Sequence, residues 1–460
     1  MIIRFSLENF LSFSSNQSIS MIPGNLRNKP EHIFEKNNVK LLNLSAIYGA
    51  NASGKTNLIK AIDLFQFIVL KAVPLDITSM YFRENIENKN KPTKFEIEFI
   101  KNDSVYAYGI EVLLHQSKII SEWLYKIYPN RDNEEMIYER EIIDNKYAFK
   151  YNEDIIQGED RNRLNFIIMD MDSNYRTPFI TEMNRNKKIA EDSSLYFFEE
   201  VYDWFKSDLK IFFPGDTITK FDYVIDKDNT QNNKINSIVS SFDTGISSVK
   251  LEKISEDEIG KIFPRKLMDD FVNNIRANVE DAKELVLGTS VLRSQEEFFQ
   301  ISNISNEGYD IETIKLCHGT DGVSYNFREE SDGTRRLFDL LDILLTVDSD
   351  KVFIIDELDR SLHPNLTYKF IELFYKVALE KNIQLILTTH ESKIMDLNLL
   401  RQDEIWFVER NNKNESELYS LDSFKERYDK RVEKAYLEGR YGAIPIFNSF
   451  ENFINQESGD

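Results

Sequence analysis

Gly49-Ala50-Asn51-Ala52-Ser53-Gly54-Lys55-Thr56 is the stretch whose reading decides the fold. The apolar run Leu42 to Tyr48 before it reads as a buried strand, and a helical pattern follows from Lys55 until Pro74 stops it. Strand, glycine-bounded loop and helix in that order fit G-x-x-x-x-G-K-[ST] in full. The glycines Gly49 and Gly54 permit a tight turn that points the backbone N–H groups of Ala50, Asn51, Ala52 and Ser53 at a polyphosphate. The helix adds the partial positive charge of its N-terminus. Lys55 can reach β- and γ-phosphates, and the Thr56 hydroxyl can ligate Mg²⁺. ATP and Mg²⁺ are the ligands this pattern predicts.

A second motif lies far downstream. Lys351-Val352-Phe353-Ile354-Ile355-Asp356-Glu357 is a continuous apolar run ending in two acids. Such a run predicts a fully buried parallel strand whose carboxyl end opens on a ligand crevice. Asp356 is placed to hold Mg²⁺, and Glu357 to orient and deprotonate an attacking water. Thr388-Thr389-His390 ends the next strand, where a histidine can bond a γ-phosphate and sense its presence. Taken alone, a histidine after a strand is as readily structural; its place one strand beyond Asp356-Glu357 favours the sensing role. Ser331-Asp332-Gly333-Thr334, followed by Arg335-Arg336, sits at a helix start. Ser331, Gly333 and Thr334 suit γ-phosphate binding through hydroxyl and backbone donors, and in isolation the same segment is a helix N-cap.

Around these motifs the chain divides into three blocks. Residues 1–125 hold the glycine loop and the strand-like runs Lys94–Ile100, Val105–Val112 and Ile120–Tyr125. Residues 126–315 are richer in Asn, Asp, Lys and Glu and read as a mostly helical insertion, with helices expected over Ser194–Ser207 and Leu267–Glu284. Phe198, Tyr202 and Phe205 fall on one face of the first of these, a packing stripe, while Asp226–Lys234 reads as a polar loop. Residues 316–460 alternate helix and strand: Gly333–Val347 helical, Lys351–Ile355 a strand, a helix opening at Pro364, then strands Ile383–Thr388 and Glu404–Val408. The fold class expected is α/β, one head with a parallel sheet, split in sequence by the middle block.

With 460 residues, two or three structural units are expected. The formal net charge is −21, which repels naked nucleic acid on average, so any DNA or RNA contact needs a local basic patch or an assembled form. Arg185-Asn186-Lys187-Lys188 is one such stretch, and a solvated surface is the simpler reading of it. Cys317 is the single cysteine, which excludes an intramolecular disulfide and reads as packing. The N-terminus is too quickly polar for a signal peptide, and no apolar run approaches the roughly 20 residues that span a bilayer. A cytoplasmic protein without a membrane partner is expected.

Together these elements resemble the ABC-type ATPase head of the RecF and structural-maintenance-of-chromosomes (SMC-like) kind, over the two outer blocks. In that resemblance Gly49–Thr56 looks like the Walker A, Lys351–Glu357 the Walker B with its catalytic glutamate, and His390 the switch histidine. Leu358-Asp359 looks like the D-loop and Glu330–Thr334 a divergent signature, departing from the usual serine-glycine-glycine. The glutamine-bearing loop is not placed. The resemblance implies that two heads sandwich ATP, hence a homodimer or higher oligomer. Ile120–Tyr125, Asp243-Thr244-Gly245-Ile246 and Tyr436–Pro445 are similar to segments of stand-alone ATPases in abortive-infection and anti-phage operons, the AbiL, RloA and PARIS-type ATPases. That narrower resemblance implies a separately encoded effector, commonly a nuclease. Read from residues alone, Tyr436–Pro445 is a helix end, a glycine turn and a proline stop.

The reading that follows is a defence ATPase whose oligomer senses infection and controls a toxic effector. The alternative is a RecF-like ATPase that loads on DNA in repair or replication, with nucleic acid open as the ligand of the middle lobe.

Overall fold

The computed structural model describes residues 1–131, 133–144, 146–171, 174–185, 188–217, 229–259, 290–293, 297–302, 310–319, 323–345, 348–424 and 431–444. Two compact units divide the chain. The first comprises Met1–Pro214, Asp348–Leu358 and Tyr375–Asp460; the second comprises Gly215–Val347 and Asp359–Phe374.

In the first unit the strands are β1 (Ile2–Glu8), β2 (Gln17–Ser20), β3 (Ile33–Lys36), β4 (Val39–Leu42) and β5 (Leu44–Tyr48). Helix α1 (Lys55–Leu70) comes next, then β6 (Thr93–Lys101), β7 (Ser104–Leu113), β8 (Lys118–Tyr128), β9 (Asn133–Ile143) and β10 (Lys146–Tyr151). Helices α2 (Gly158–Asp170), α3 (Phe179–Asn184) and α4 (Tyr196–Asp203) lead to β11 (Leu209–Phe212). The second unit carries α5 (Asn229–Ser240), β12 (Ile246–Lys253), α6 (Glu256–Ile259), β13 (Ser290–Arg293), β14 (Phe298–Ser302), β15 (Asp310–His318), β16 (Val323–Asn326) and α7 (Asp332–Leu345). The chain ends through β17 (Val352–Ile355), α8 (Pro364–Lys381), β18 (Gln384–Thr388), β19 (Ile405–Arg410), β20 (Ser416–Ser420) and α9 (Val432–Leu437).

Two large sheets and the β3–β4 hairpin build the first unit. One runs β11-β17-β18-β5-β19-β20, parallel except for the β19–β20 hairpin. Strands β5, β17 and β18 are buried along their whole lengths; β17 is apolar throughout, while β5 and β18 bury the polar residues Ser45, Gln384 and Thr388 among apolar ones. The other is a seven-stranded antiparallel sheet, β10-β9-β8-β7-β6-β1-β2. Strand β6 alternates buried and half-buried residues from Thr93 to Phe99, so period-two sequence becomes one core face and one outer face there, while β7 is buried at consecutive positions, 105–106 and 108–110. Helix α1 belongs to the core of both sheets. Its Phe65 ring lies 5.7 Å from Phe95, 5.6 Å from Tyr108 and 5.3 Å from Phe205, while Ile62 and Phe65 share one apolar cluster with Ile47, Ile354 and Ile386. The buried amide of Gln384 fastens the sheets together. It accepts from the Ile2 N–H (2.7 Å) and donates to the carbonyls of Ile2 (3.0 Å) and Leu42 (3.1 Å).

The expected element types of the outer blocks are present, while the middle block differs from its sequence reading. Residues 133–151 add β9 and β10 to the antiparallel sheet, and α2 to α4 complete that unit, so the division between units falls at 214/215 rather than near 125. The described part of the second unit is not mostly helical. It holds the β12-β15-β14-β13 sheet, with β16 also on β15. The expected helix over 267–284 lies outside the described residues. The helix expected over 194–207 is present as α4 followed by one wide turn, Trp204–Asp208, with Phe198 and Phe205 fully buried. The polar tract read as a loop at 226–234 enters α5 from Asn229, its lack of apolar periodicity having hidden the helix.

The Ile120–Tyr125 motif has a structural meaning here. Glu122 on β8 is fully buried and saturated with donors: Tyr108 (2.9 Å), Tyr138 (2.6 Å), Arg140 Nε (2.7 Å) and the N–H groups of Phe179 (2.8 Å) and Ile180 (3.2 Å). Arg140 continues to the Thr177 carbonyl (2.8 Å), so one buried ion pair joins three strands to the start of α3. Burial and the Glu122 charge push the Tyr108 and Tyr138 hydroxyls well up, which keeps both as donors. Removing one member leaves the other charge buried and unpaired, at a cost of about 3–5 kcal/mol. Arg140→Met is therefore expected to lower the thermal midpoint by many degrees in a melting experiment. An unchanged midpoint contradicts this account of the sheet.

Candidate functional site

The parallel sheet sets the geometry of the site through strand order. Strand β18 lies between β17 and β5, and the register pairs Ile355 with Leu387 and Thr388 with Ile47. The segments that follow these three strands therefore leave the sheet side by side at its carboxyl edge. They are Asp356-Glu357, Thr389-His390 and Gly49–Gly54. Ligands of open parallel sheets bind at this edge.

The glycine loop has the backbone its sequence predicts. Gly54 sits at φ 117° directly before α1, in a region that L side chains rarely adopt. A Cβ on Gly49 would collide with the Val408 carbonyl, and one on Gly54 with the Ser416 hydroxyl, so the surrounding strands leave room for backbone only. Lys55 is buried and its ammonium donates to the Gly49 (2.8 Å) and Ala50 (3.2 Å) carbonyls. The buried Ser53 hydroxyl meets no partner among the described residues. A loop curled around its own lysine, with room for backbone only at Gly49 and Gly54, is a cradle that fits a polyphosphate.

Behind the loop lies a polar cluster that sequence reading did not find. The Ser416 hydroxyl bonds the Ser53 carbonyl (2.5 Å) and the Ser12 hydroxyl (2.7 Å), Asn57 donates to Ser12 (2.9 Å), and the Ser416 N–H bonds the Ser12 carbonyl (2.7 Å). Ser12 and Ser416 are 404 positions apart, and no local pattern announces their meeting.

Asp356 is buried and Glu357 half-buried. The buried Thr388 hydroxyl donates to Asp356 Oδ1 (2.6 Å) and accepts from the Glu357 N–H (2.8 Å). Asp356 N–H bonds the Phe212 carbonyl of β11 (2.9 Å), and Leu358 N–H bonds the Thr388 carbonyl (3.0 Å). Glu357 itself has φ 49°, a left-handed kink that redirects the chain as it leaves the strand. His390 is exposed, directly after the buried Thr389. Thr388 stands in the same triplet as His390, so its place at a strand end was the available signal.

Ser331, Gly333 and Thr334 belong to the second unit. Ser331 caps α7, accepting from the Thr334 N–H (3.1 Å) and meeting its hydroxyl at 2.9 Å, which is the N-cap geometry. A Cβ on Gly333 would stand 2.7 Å from the Ser361 carbonyl. Glu330, just before the cap, is held by His318 of β15 at 2.6 Å. Arg336 is buried, with Nε and Nη2 reaching no partner among the described residues; burial pulls its pKa below the usual guanidinium value and Asp339 opposes that shift.

Among the described residues no three His, Cys, Asp or Glu side chains cluster as a metal site, and no helix is long and apolar enough to cross a membrane.

Residues 44–396 match the family model described as "AAA domain, putative AbiEii toxin, Type IV TA system". No curated protein matches the chain. Solved structures similar to it include an SMC head bound to the C-winged helix domain of ScpA, at 14% identity, covering 92% of this chain and 99% of that one, with a TM-score of 0.39. An SMC head domain from Thermotoga maritima matches at 12% identity over 91% and 98%, with a TM-score of 0.38. An SMC head with an extended coiled coil, bound to the C-terminal domain of ScpA derived from Pyrococcus furiosus, matches at 15% identity over 95% and 99%, with a TM-score of 0.40.

Thr388→Val keeps the volume but strands a buried carboxylate oxygen and the Glu357 N–H, a loss of about 1–3 kcal/mol. ATP turnover is expected to fall about 10- to 100-fold, since small displacements of catalytic groups carry costs of that order. Thr388→Ser should recover most of it. Steady-state turnover equal to the parent's in Thr388→Val contradicts the bridging role.

Proposed function

Because the chain belongs to this AAA-domain family of P-loop ATPases, linked to AbiEii-type toxins and type IV toxin–antitoxin systems, we propose that it hydrolyses ATP as the sensing component of an anti-phage system. The observation that carries the reading is the meeting of Gly49–Thr56, Asp356-Glu357 and His390 at one edge of one sheet. In this reading the N–H groups of residues 50–54 and the Lys55 ammonium hold the phosphates. Thr56 and Asp356 would hold a Mg²⁺ ion, which would supply charge neutralisation at the phosphates. Glu357 orients the attacking water and takes its proton, and His390 bonds the γ-phosphate.

The same reading makes the active form a homodimer or larger oligomer, with Ser331, Gly333 and Thr334 of one copy completing the ATP site of another. Exposure of Ser331 and Asp332 at the head of α7 supports that role. The output is control of a separately encoded toxic effector, a nuclease in the favoured version, in keeping with the family's association with abortive infection.

Plating efficiency of phage tests the reading. Cells carrying the parent gene with its operon neighbours should restrict phage, and cells carrying Lys55→Ala or Glu357→Gln in the same operon should not. Equal sensitivity of parent and variant cells removes the defence function.

A further inference from the structure

The C-terminal motif around Tyr436–Ala443 has no part in the nucleotide chemistry described above, yet it is packed against the loops that perform it. Helix α9 ends in a glycine cap: the Arg440 N–H bonds the Ala435 carbonyl (3.0 Å), the Gly439 N–H bonds that of Tyr436 (2.8 Å), and Gly439 has φ 80°. The chain then doubles back on itself, with Gly442 at φ 70°, and the Tyr436 hydroxyl donates to the Ala443 carbonyl (3.2 Å).

Two contacts from this compact segment reach the site. The Tyr436 ring meets Tyr48 edge-on at 5.9 Å and stacks on Phe407 at 5.7 Å. Tyr48 is the last residue of β5 and immediately precedes Gly49, so this ring packs on the strand end that launches the phosphate loop. At the other end of α9 the Glu433 carboxylate accepts from the Ser392 hydroxyl (3.0 Å), two residues beyond His390.

The segment is itself clamped to β19 and β20. Tyr441 packs on Phe407 (5.8 Å), and its carbonyl accepts from the Tyr419 hydroxyl (2.7 Å), which also contacts Glu409 (3.0 Å). A Cβ on Gly442 would strike the Glu409 carboxylate, so a glycine lets the backbone lie this close. Burial raises the pKa of Tyr436, and burial with the Glu409 charge raises that of Tyr419, so both hydroxyls remain donors.

We propose that residues 432–443 form a strap that positions two loops of the ATP site, Tyr436 setting the strand end before the phosphate loop and Glu433 holding the turn after His390. Both are positioning residues, and the proposal rests on the ATP-site reading above. The two contacts predict different kinetic signatures. Tyr436→Leu removes the ring against Tyr48, so it should raise the dissociation constant of a fluorescent ATP analogue and the KM about tenfold, with kcat changed much less. Ser392→Ala and Glu433→Ala each remove the hydrogen bond beside His390. They should lower kcat about tenfold with KM unchanged, and the double variant should be no worse than either single one. Glu433→Gln keeps an acceptor and Tyr436→Phe keeps the ring, so both should behave as the parent.

The assay separates the two levels of inference. A parent chain that neither binds the analogue nor turns over ATP overturns the ATP-site reading and the strap with it. An active parent whose Tyr436, Ser392 and Glu433 variants lose only thermal stability and active fraction, with KM and kcat per active site unchanged, leaves the site intact and overturns the strap alone.

Discussion

The Thr388 hydroxyl is the group on which the site's geometry depends most. It donates to Asp356 and accepts from the Glu357 backbone, so one buried atom fixes both acids that follow the neighbouring strand. It can do so only because β17 and β18 are parallel and in register, ending their hydrogen-bonded pairing at Ile355 and Leu387. A one-residue slip in that register would turn Thr388 to the other face and leave Asp356 unpaired in an apolar setting. The same strand carries the register onward to β5, where the Thr389 N–H bonds the Ile47 carbonyl (3.1 Å), two residues before Gly49. The phosphate loop and the acids are thus placed by backbone pairing, with one side chain locking the joint.

How much of this was legible in the sequence follows from how local each signal is. Gly49–Thr56 was readable because one loop of eight residues contains its own turn glycines, its lysine and its helix start. Lys351–Glu357 was readable because a strand buried on both faces must be apolar throughout, which makes the two acids at its end conspicuous. The Ser12–Ser416–Ser53 cluster was not readable, since each serine is unremarkable alone and the pairing spans almost the whole chain. Strand β9, Asn-Glu-Glu-Met-Ile-Tyr-Glu-Arg-Glu-Ile-Ile, hid for a related reason. Its buried Arg140 looks like a solvated charge until Glu122, eighteen positions away, is brought beside it. The polar start of α5 and the strands of the second unit were misjudged because neither has the apolar periodicity on which the reading relied.

The antiparallel sheet carries none of Gly49–Thr56, Asp356-Glu357 or His390, which follow strands of the parallel sheet. Helix α1 carries Lys55 and Thr56 at one end and the Phe65 cluster in its middle, so the core that seats the helix also seats the loop. Gln384 performs the matching task for β18, tying the strand that ends in Thr388 to β1 and β4 through three hydrogen bonds. The C-terminal residues close the arrangement from the side of β19, where Phe407 takes up the rings of both Tyr436 and Tyr441.

The measurement closest to the central claim is ATP hydrolysis by the purified chain beside Lys55→Ala and Glu357→Gln, with oligomeric mass followed by light scattering. The account predicts turnover by the parent, its loss in both variants, and a dimer or larger assembly in the presence of ATP. A Glu357→Gln chain that hydrolyses ATP as fast as its parent, or a parent that turns over ATP as a monomer throughout, contradicts it.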